Sequence, residues 1–275
     1  MSAPTLDRTK VDTGTEELLA ERDGNILILT FNRPERMNAI SGPMLAAFSR
    51  VLTEANRDTS VRVVIITGRG RGFCAGLDLV ESGPNSIAAR SKNAQQLFDL
   101  AGSPPVVLYN MDKPVICALN GAAAGYGMDL ALLCDIRIAG EGGRLAAVTA
   151  KRNLLPESGG SWLLPRLVGW AKASEMFFRG QVLNAQQCKE AGLVNAVVPD
   201  ADLLDTAISW AREIAANAPM AVQATKRMMR LGTKEDYETT VDHLMVHLKV
   251  LFGMDDFAEG VASFQEKREP RFTGR

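Results

Sequence analysis

Cysteine and histidine are scarce in this 275-residue chain, and their placement excludes more than their number. The four cysteines (Cys74, Cys117, Cys134, Cys188) lie far apart and form no C-x-x-C pair. That pattern fits reduced, mostly buried thiols better than a disulfide or zinc framework. His243 and His247 stand at i and i+4 but lack H-E-x-x-H and a third ligand nearby, so a helical-face pair and no metal is expected. No G-x-S-x-G is present, which weighs against a serine hydrolase. Residues 68–72 (GRGRG) lack the lysine and spacing of a triphosphate loop, so a nucleotide-triphosphate site is rejected. Neither sign of charge dominates: 31 Lys and Arg face 32 Asp and Glu, a formal net charge of −1. Nucleic acid and anionic membrane therefore have no electrostatic case as main partners. No run approaches 18 apolar residues, and the N-terminus is polar with acidic residues and no apolar h-region. The expectation is a cytoplasmic protein with no transmembrane helix and no signal peptide.

The composition is that of an ordinary globular protein, 46% hydrophobic and 23% charged, long enough for one large domain with a small appendage. Residues 1–15 are polar and patternless and read as a loose arm. Residues 25–31 (NILILTF) read as a strand ended by Asn32-Arg33-Pro34. Ser41 is placed to cap a helix with Pro43 in its first turn and Met44, Phe48, Val51, Leu52 and Ala55 on one face. Residues 61–67, 115–119 and 135–139 are further strands, with a helix over 128–133. Near-continuous apolar runs of this kind suit a parallel sheet covered on both faces, and their interval argues for right-handed crossover units. From Gly159 onward the pattern is almost wholly helical, broken by short apolar pieces at 182–183 and 193–198. The reading is a mixed α/β core over 16–199 followed by a helical region over 200–275. In that region Lys226, Arg227 and Arg230 read as a solvated helix face.

The most informative residues are 120–135 (NGAAAGYGMDLALLCD) with 72–79 (GFCAGLDL). Each segment follows an apolar, β-branched run and crowds glycines at a turn. Glycine permits backbone conformations and close approaches that a Cβ forbids. Two such turns can present free N–H groups to one oxygen atom, the arrangement an enolate or oxyanion transition state requires. Taken alone, either turn is equally well an ordinary strand-to-helix connection.

Set beside residues 156–169 (PESGGSWLLPRLVG), 32–39 (NRPERMNA), 191–199 (AGLVNAVVP) and 259–272 (EGVASFQEKREPRF), the chain closely resembles the crotonase (enoyl-CoA hydratase/isomerase) superfamily over nearly everything after residue 20. The resemblance implies an α/β fold: a spiral of ββα units with a C-terminal helical region, assembled as a homotrimer or a dimer of trimers. It implies an acyl-CoA substrate, with coenzyme A part of that substrate and no other cofactor. By position, the oxyanion-hole donors fall on the N–H groups of Leu77 and Tyr126. Coenzyme A is expected to run past Arg36, Met37 and Ala39 and past the Phe73 and Ala75 backbone. Phe264 and Lys267 match tail positions that meet it, often from a neighbouring subunit. The segment 87–100 is expected to line the acyl pocket.

Hydratases of this family use two glutamates to hold and activate one water. Here the first falls on Asp129, a shorter carboxylate, and the second on Thr149, which cannot exchange a proton near neutral pH. Glu157 matches a position where some isomerases and dehalogenases carry an aspartate. The expectation is an enoyl-CoA hydratase or isomerase with Glu157 as main acid/base and Asp129 as second carboxylate or water-holder. The alternatives are a catalytically silent CoA-binding homologue and an acyl-CoA thioester hydrolase.

Overall fold

The structure is a computed structural model that describes residues 8–78 and 102–275. Eleven described strands form two sheets. The larger runs in the order β1-β2-β3-β4-β6-β8-β11 and the smaller in the order β10-β9-β7-β5, where β10 is Val182–Asn184. In the large sheet β3 (Ile26–Phe31), β4 (Val63–Gly68), β6 (Val115–Leu119), β8 (Ile136–Gly140) and β11 (Ala196–Val198) are parallel. The edge pair β1 (Thr9–Val11) and β2 (Leu18–Asp23) is antiparallel.

The apolar runs are continuous because both faces of this sheet are covered. Leu27, Leu29, Phe31, Val64 and Ile66 pack on one side with Phe48, Val51 and Leu52 of the Gly42–Arg57 helix. The alternate residues Ile26, Ile28, Val63, Ile65 and Ile116 meet Leu203, Ala207, Ile208 and Ala211 of the Leu203–Ala215 helix. Ser41 caps the first of these helices by accepting from Met44 N at 3.1 Å, as its position predicts.

Three strands of the large sheet are each followed at once by a three-residue strand of the small one. β4 leads into β5 (Gly72–Cys74), β6 into β7 (Ala122–Ala124) and β8 into β9 (Arg144–Ala146). β5, β7 and β9 are parallel neighbours, so the chain climbs the molecule as a spiral. Alanine and glycine are prominent in these short strands, and nothing in their pattern marks them as β. They are strands because the backbones of successive turns stack. The helix Tyr126–Leu133 follows β7, and the helix Gly160–Arg179 lies against it.

Two expectations change. Three residues of the stretch read as a loose arm pair with β2 as an edge strand. The basic cluster on the helix Pro219–Gly232 is not a solvated face: Lys226 donates to Asp135 (2.7 Å), and Arg227 and Arg230 both bind Asp112. Those ion pairs fasten the C-terminal helices to the core. The segment 87–100 lies outside the described residues. No described helix is long and apolar enough to cross a membrane.

Candidate active site

Residue Gly76, at φ +99, turns the chain out of β5. Ile40 then pairs with Leu77 as an isolated parallel bridge: Ile40 N–H donates to Gly76 O (2.8 Å) and Asp78 N–H donates to Ile40 O (2.9 Å). Because flanking residues make both bonds, the Leu77 N–H projects to the opposite side. The second turn is Gly125, at φ 50 and ψ −119, which precedes the Tyr126–Leu133 helix. Tyr126 N–H is the first donor of that helix and has no carbonyl four residues back to bind. The helix dipole adds positive potential there.

Glycine is what lets the two turns touch. A Cβ at Gly76 would stand 3.0 Å from Ala124 O and 3.7 Å from Tyr126 N, and one at Gly127 would run into the Cys74 backbone. The Leu77 and Tyr126 backbones therefore abut at one end of a cleft of about 580 Å³. Arg36, Ala39, Ala75, Thr149 and Glu157 also line that cleft.

Asp78, which follows Leu77, is 3% exposed and binds Arg33 Nη1 at 3.0 Å and Arg36 Nη2 at 3.1 Å. This clamp holds the half-exposed Arg36 beside the cleft. Sequence reasoning passes over Asp78 although it stands inside the 72–79 motif; its role needs Arg33 and Arg36 brought back from more than forty residues away.

The two carboxylates differ sharply. Glu157 lies in the turn before the Gly160–Arg179 helix and is exposed along the cleft. Asp129 is fully buried on the Tyr126–Leu133 helix and does not line the cleft. Its Oδ2 accepts from Ser158 N–H at 3.2 Å, and Oδ1 has no hydrogen-bond partner. Burial pushes the Asp129 carboxyl up to about 7, the nearby Glu157 charge adds to the rise, and the N–H groups of Gly160 and Ser158 pull against it. Asp129, expected as second carboxylate or water-holder, is thus buried near Glu157 and is not among the residues lining the cleft. An aspartate is one methylene too short, and its carboxylate goes to the backbone behind.

Thr149 is 8% exposed and faces the cleft. Phe73 lies in the core edge-on to Phe31, with centroids 5.6 Å apart, so only its backbone remains available to a ligand. Met37, at φ 52, stands outside the cleft lining; its carbonyl accepts from Ala75 N–H at 3.0 Å and its Sδ accepts from Arg71 Nε–H at 3.1 Å. Phe264 and Lys267 are exposed at the end of the last helix and do not line the cleft of their own chain.

All four cysteines are buried free thiols, and burial pushes Cys74 up to about 12 and Cys188 up to about 11. Neither is a nucleophile near neutral pH. Among the described residues no group of three or more His, Cys, Asp or Glu could hold a metal ion. His243 instead faces Glu235, at 3.0 Å.

The model of the enoyl-CoA hydratase/isomerase family matches residues 21–275. The 1,2-epoxyphenylacetyl-CoA isomerase of Escherichia coli K12 is 36% identical over 267 residues, covering 94% of this chain and 99% of that protein. The 2,3-dehydroadipyl-CoA hydratase of the same organism is 36% identical over 260 residues, with the same coverages. Among solved structures, a probable enoyl-CoA hydratase/isomerase from Mycobacterium abscessus superposes with a TM-score of 0.87 at 33% identity, covering 94% of this chain and 99% of that one. Paired glycine turns over a carboxylate-lined cleft, on a spiral shared with such structures, mark an acyl-CoA enzyme. The chain belongs to the enoyl-CoA hydratase/isomerase family, within the crotonase superfamily.

Proposed function

We propose that this protein moves a proton on the enolate of an enoyl-CoA thioester, and that double-bond isomerisation is the reaction its site favours. One observation carries the choice between isomerisation and hydration: the cleft presents Glu157 together with Thr149, and Asp129 lies behind its wall. Water addition by the two-glutamate route needs two carboxylates on one water. Among the described lining residues the carboxylates are Glu35, Asp78 and Glu157; Asp78 is held by Arg33 and Arg36, and Glu157 stands with the Thr149 hydroxyl, which cannot accept and release a proton near neutral pH.

In this reading the thioester oxygen accepts from the Leu77 and Tyr126 N–H groups. Glu157 removes a proton from a carbon next to the enoyl system, and the electron pair delocalises onto that oxygen as a dienolate. Glu157-H then returns the proton to a different carbon, and the double bond has moved with no net gain or loss of atoms. Each oxyanion donor is worth about 2.7–4 kcal/mol of barrier. Arg36, fixed by Asp78, supplies positive charge for the coenzyme A phosphates near Ala39 and Ala75. Phe264 and Lys267 reach that coenzyme A only across a subunit boundary, so a homotrimer is part of the proposal. Its support is the exposed apolar surface of the C-terminal helices, where Tyr237 and Phe264 are at least 80% exposed in the single chain.

Incubation with crotonyl-CoA and with a 3-enoyl-CoA, followed by mass and chromatography, tests the reaction. An unchanged mass with a shifted double bond is expected; a gain of one water from crotonyl-CoA would establish hydration instead.

A further inference from the structure

Resting on that assignment of Glu157, the geometry points to Asp129 as a positioning residue that holds the turn carrying Glu157 from behind the cleft wall and touches no substrate. Three observations carry this. The Asp129 carboxylate is 0% exposed and absent from the cleft lining. Its Oδ2 is bound to the N–H of Ser158, the residue next to Glu157. Gly160, which opens the following helix, approaches so closely that any Cβ there would collide with Asp129 Oδ1. The helix Tyr126–Leu133 thus grips the 157–160 turn through one side chain. That helix also carries the Tyr126 N–H, so Asp129 links the position of the proton-transfer group to the position of the oxyanion donor.

The grip has an electrical side. Glu157 is the charged side chain that acts on Asp129, and Tyr126, on the same helix, is the other titratable group close to it. Oδ1 is buried against the Gly160 backbone. A protonated Asp129 still offers Oδ2 to Ser158 N–H and adds no second negative charge behind Glu157. Ionisation of Asp129 puts like charge behind the working carboxylate. The pH profile of turnover is therefore expected to carry an inflection near 7 to which ionisation of Asp129 beside Glu157 contributes.

The test compares three variants in the full-length protein, measuring kcat, KM and pH profile with the enoyl-CoA that the parent turns over, and thermal melting as the fold control. Asp129→Asn keeps an oxygen for Ser158 N–H and mimics the protonated form. It is expected to stay within about tenfold of the parent kcat and to lose the inflection near pH 7. Asp129→Ala removes the acceptor, so kcat is expected to fall by about 100-fold with KM little changed, the effect of a misplaced group. Glu157→Gln is the reference for loss of direct proton transfer. If Asp129→Asn is as inactive as Glu157→Gln while melting like the parent, Asp129 transfers protons itself and the positioning role is overturned. Full activity in Asp129→Ala, or an unchanged inflection in Asp129→Asn, overturns it too. If Glu157→Gln alone retains parental turnover, the assignment of Glu157 fails rather than the grip. The grip then stands or falls on melting: Gly160→Ala is expected to destabilise the parent and to cost less beside Asp129→Gly, and equal costs in both backgrounds refute it.

Discussion

The two walls of the cleft are built on opposite principles. One is the glycine wall, where residues 72–78 stack against 122–129 and almost every side chain is at least partly buried. The other runs over residues 150–157, where most side chains, including those of Leu154, Leu155 and Glu157, are exposed. The first wall makes an electrostatic device out of closely packed backbone. The second supplies a side chain that has to reach, take a proton and give it back. Rigid donors and a mobile base are what enolate chemistry asks of a protein. Asp129 stands where the two walls meet.

Substitutions on either wall separate these principles. The largest effect is expected from Glu157→Gln on the open wall: turnover should drop by about 10²–10⁴-fold, the usual worth of a positioned acid/base, while the melting temperature hardly moves. Steady-state kinetics beside a thermal melt checks both halves. A large loss of stability would show that Glu157 is structural.

Next comes Asp129→Asn, read as stability against pH. The folded protein holds this carboxyl near 7, above its ordinary 3.8. The folded state therefore binds the proton more tightly than the unfolded chain, and that stabilisation is complete below pH 3.8 and lost as pH rises through 7. Asparagine carries no such penalty. The variant should match the parent near pH 4 and exceed it by on the order of 4 kcal/mol at pH 8, measured by urea denaturation. Equal stabilities at pH 8 would mean that Asp129 is ionised at little cost.

Gly127→Ala should cost about 1–3 kcal/mol, because the new methyl group has no room beside the Cys74 backbone. It should also lower kcat by shifting the adjacent Tyr126 N–H, so activity and stability fall together. At the small end, Leu155→Ser on the open wall (66% exposed) should change stability by within about 0.5 kcal/mol in the dissociated chain. A larger loss at concentrations where light scattering shows an oligomer would place Leu155 in a subunit interface.

Patterns of short range are legible in the amino-acid sequence itself. The Ser41 cap, the helix face from Met44 to Ala55 and the apolar strands follow from residue type and spacing alone, and all form as expected. The second sheet has no such signature. Ala122–Ala124 carries no β-propensity, and only the neighbouring turns of the spiral pair it. The basic cluster of Lys226, Arg227 and Arg230 reads as a solvated face because its partners Asp112 and Asp135 lie about a hundred residues earlier.

The site divides the same way. Glycine at 76, 125 and 127 is a property of the sequence, and it fixes where the backbone can turn and where two segments can touch. The presence of Glu157, Thr149 and an aspartate at 129 is equally fixed, and the family follows from those motifs in order. Tertiary structure alone decided which carboxylate faces the cleft. Asp129 and Glu157 have the same chemistry in the chain, but burial against the Ser158 and Gly160 backbone keeps one near 7 and out of reach, while the other stays at the surface. Desolvation and distance are properties of packing, and no local pattern encodes them.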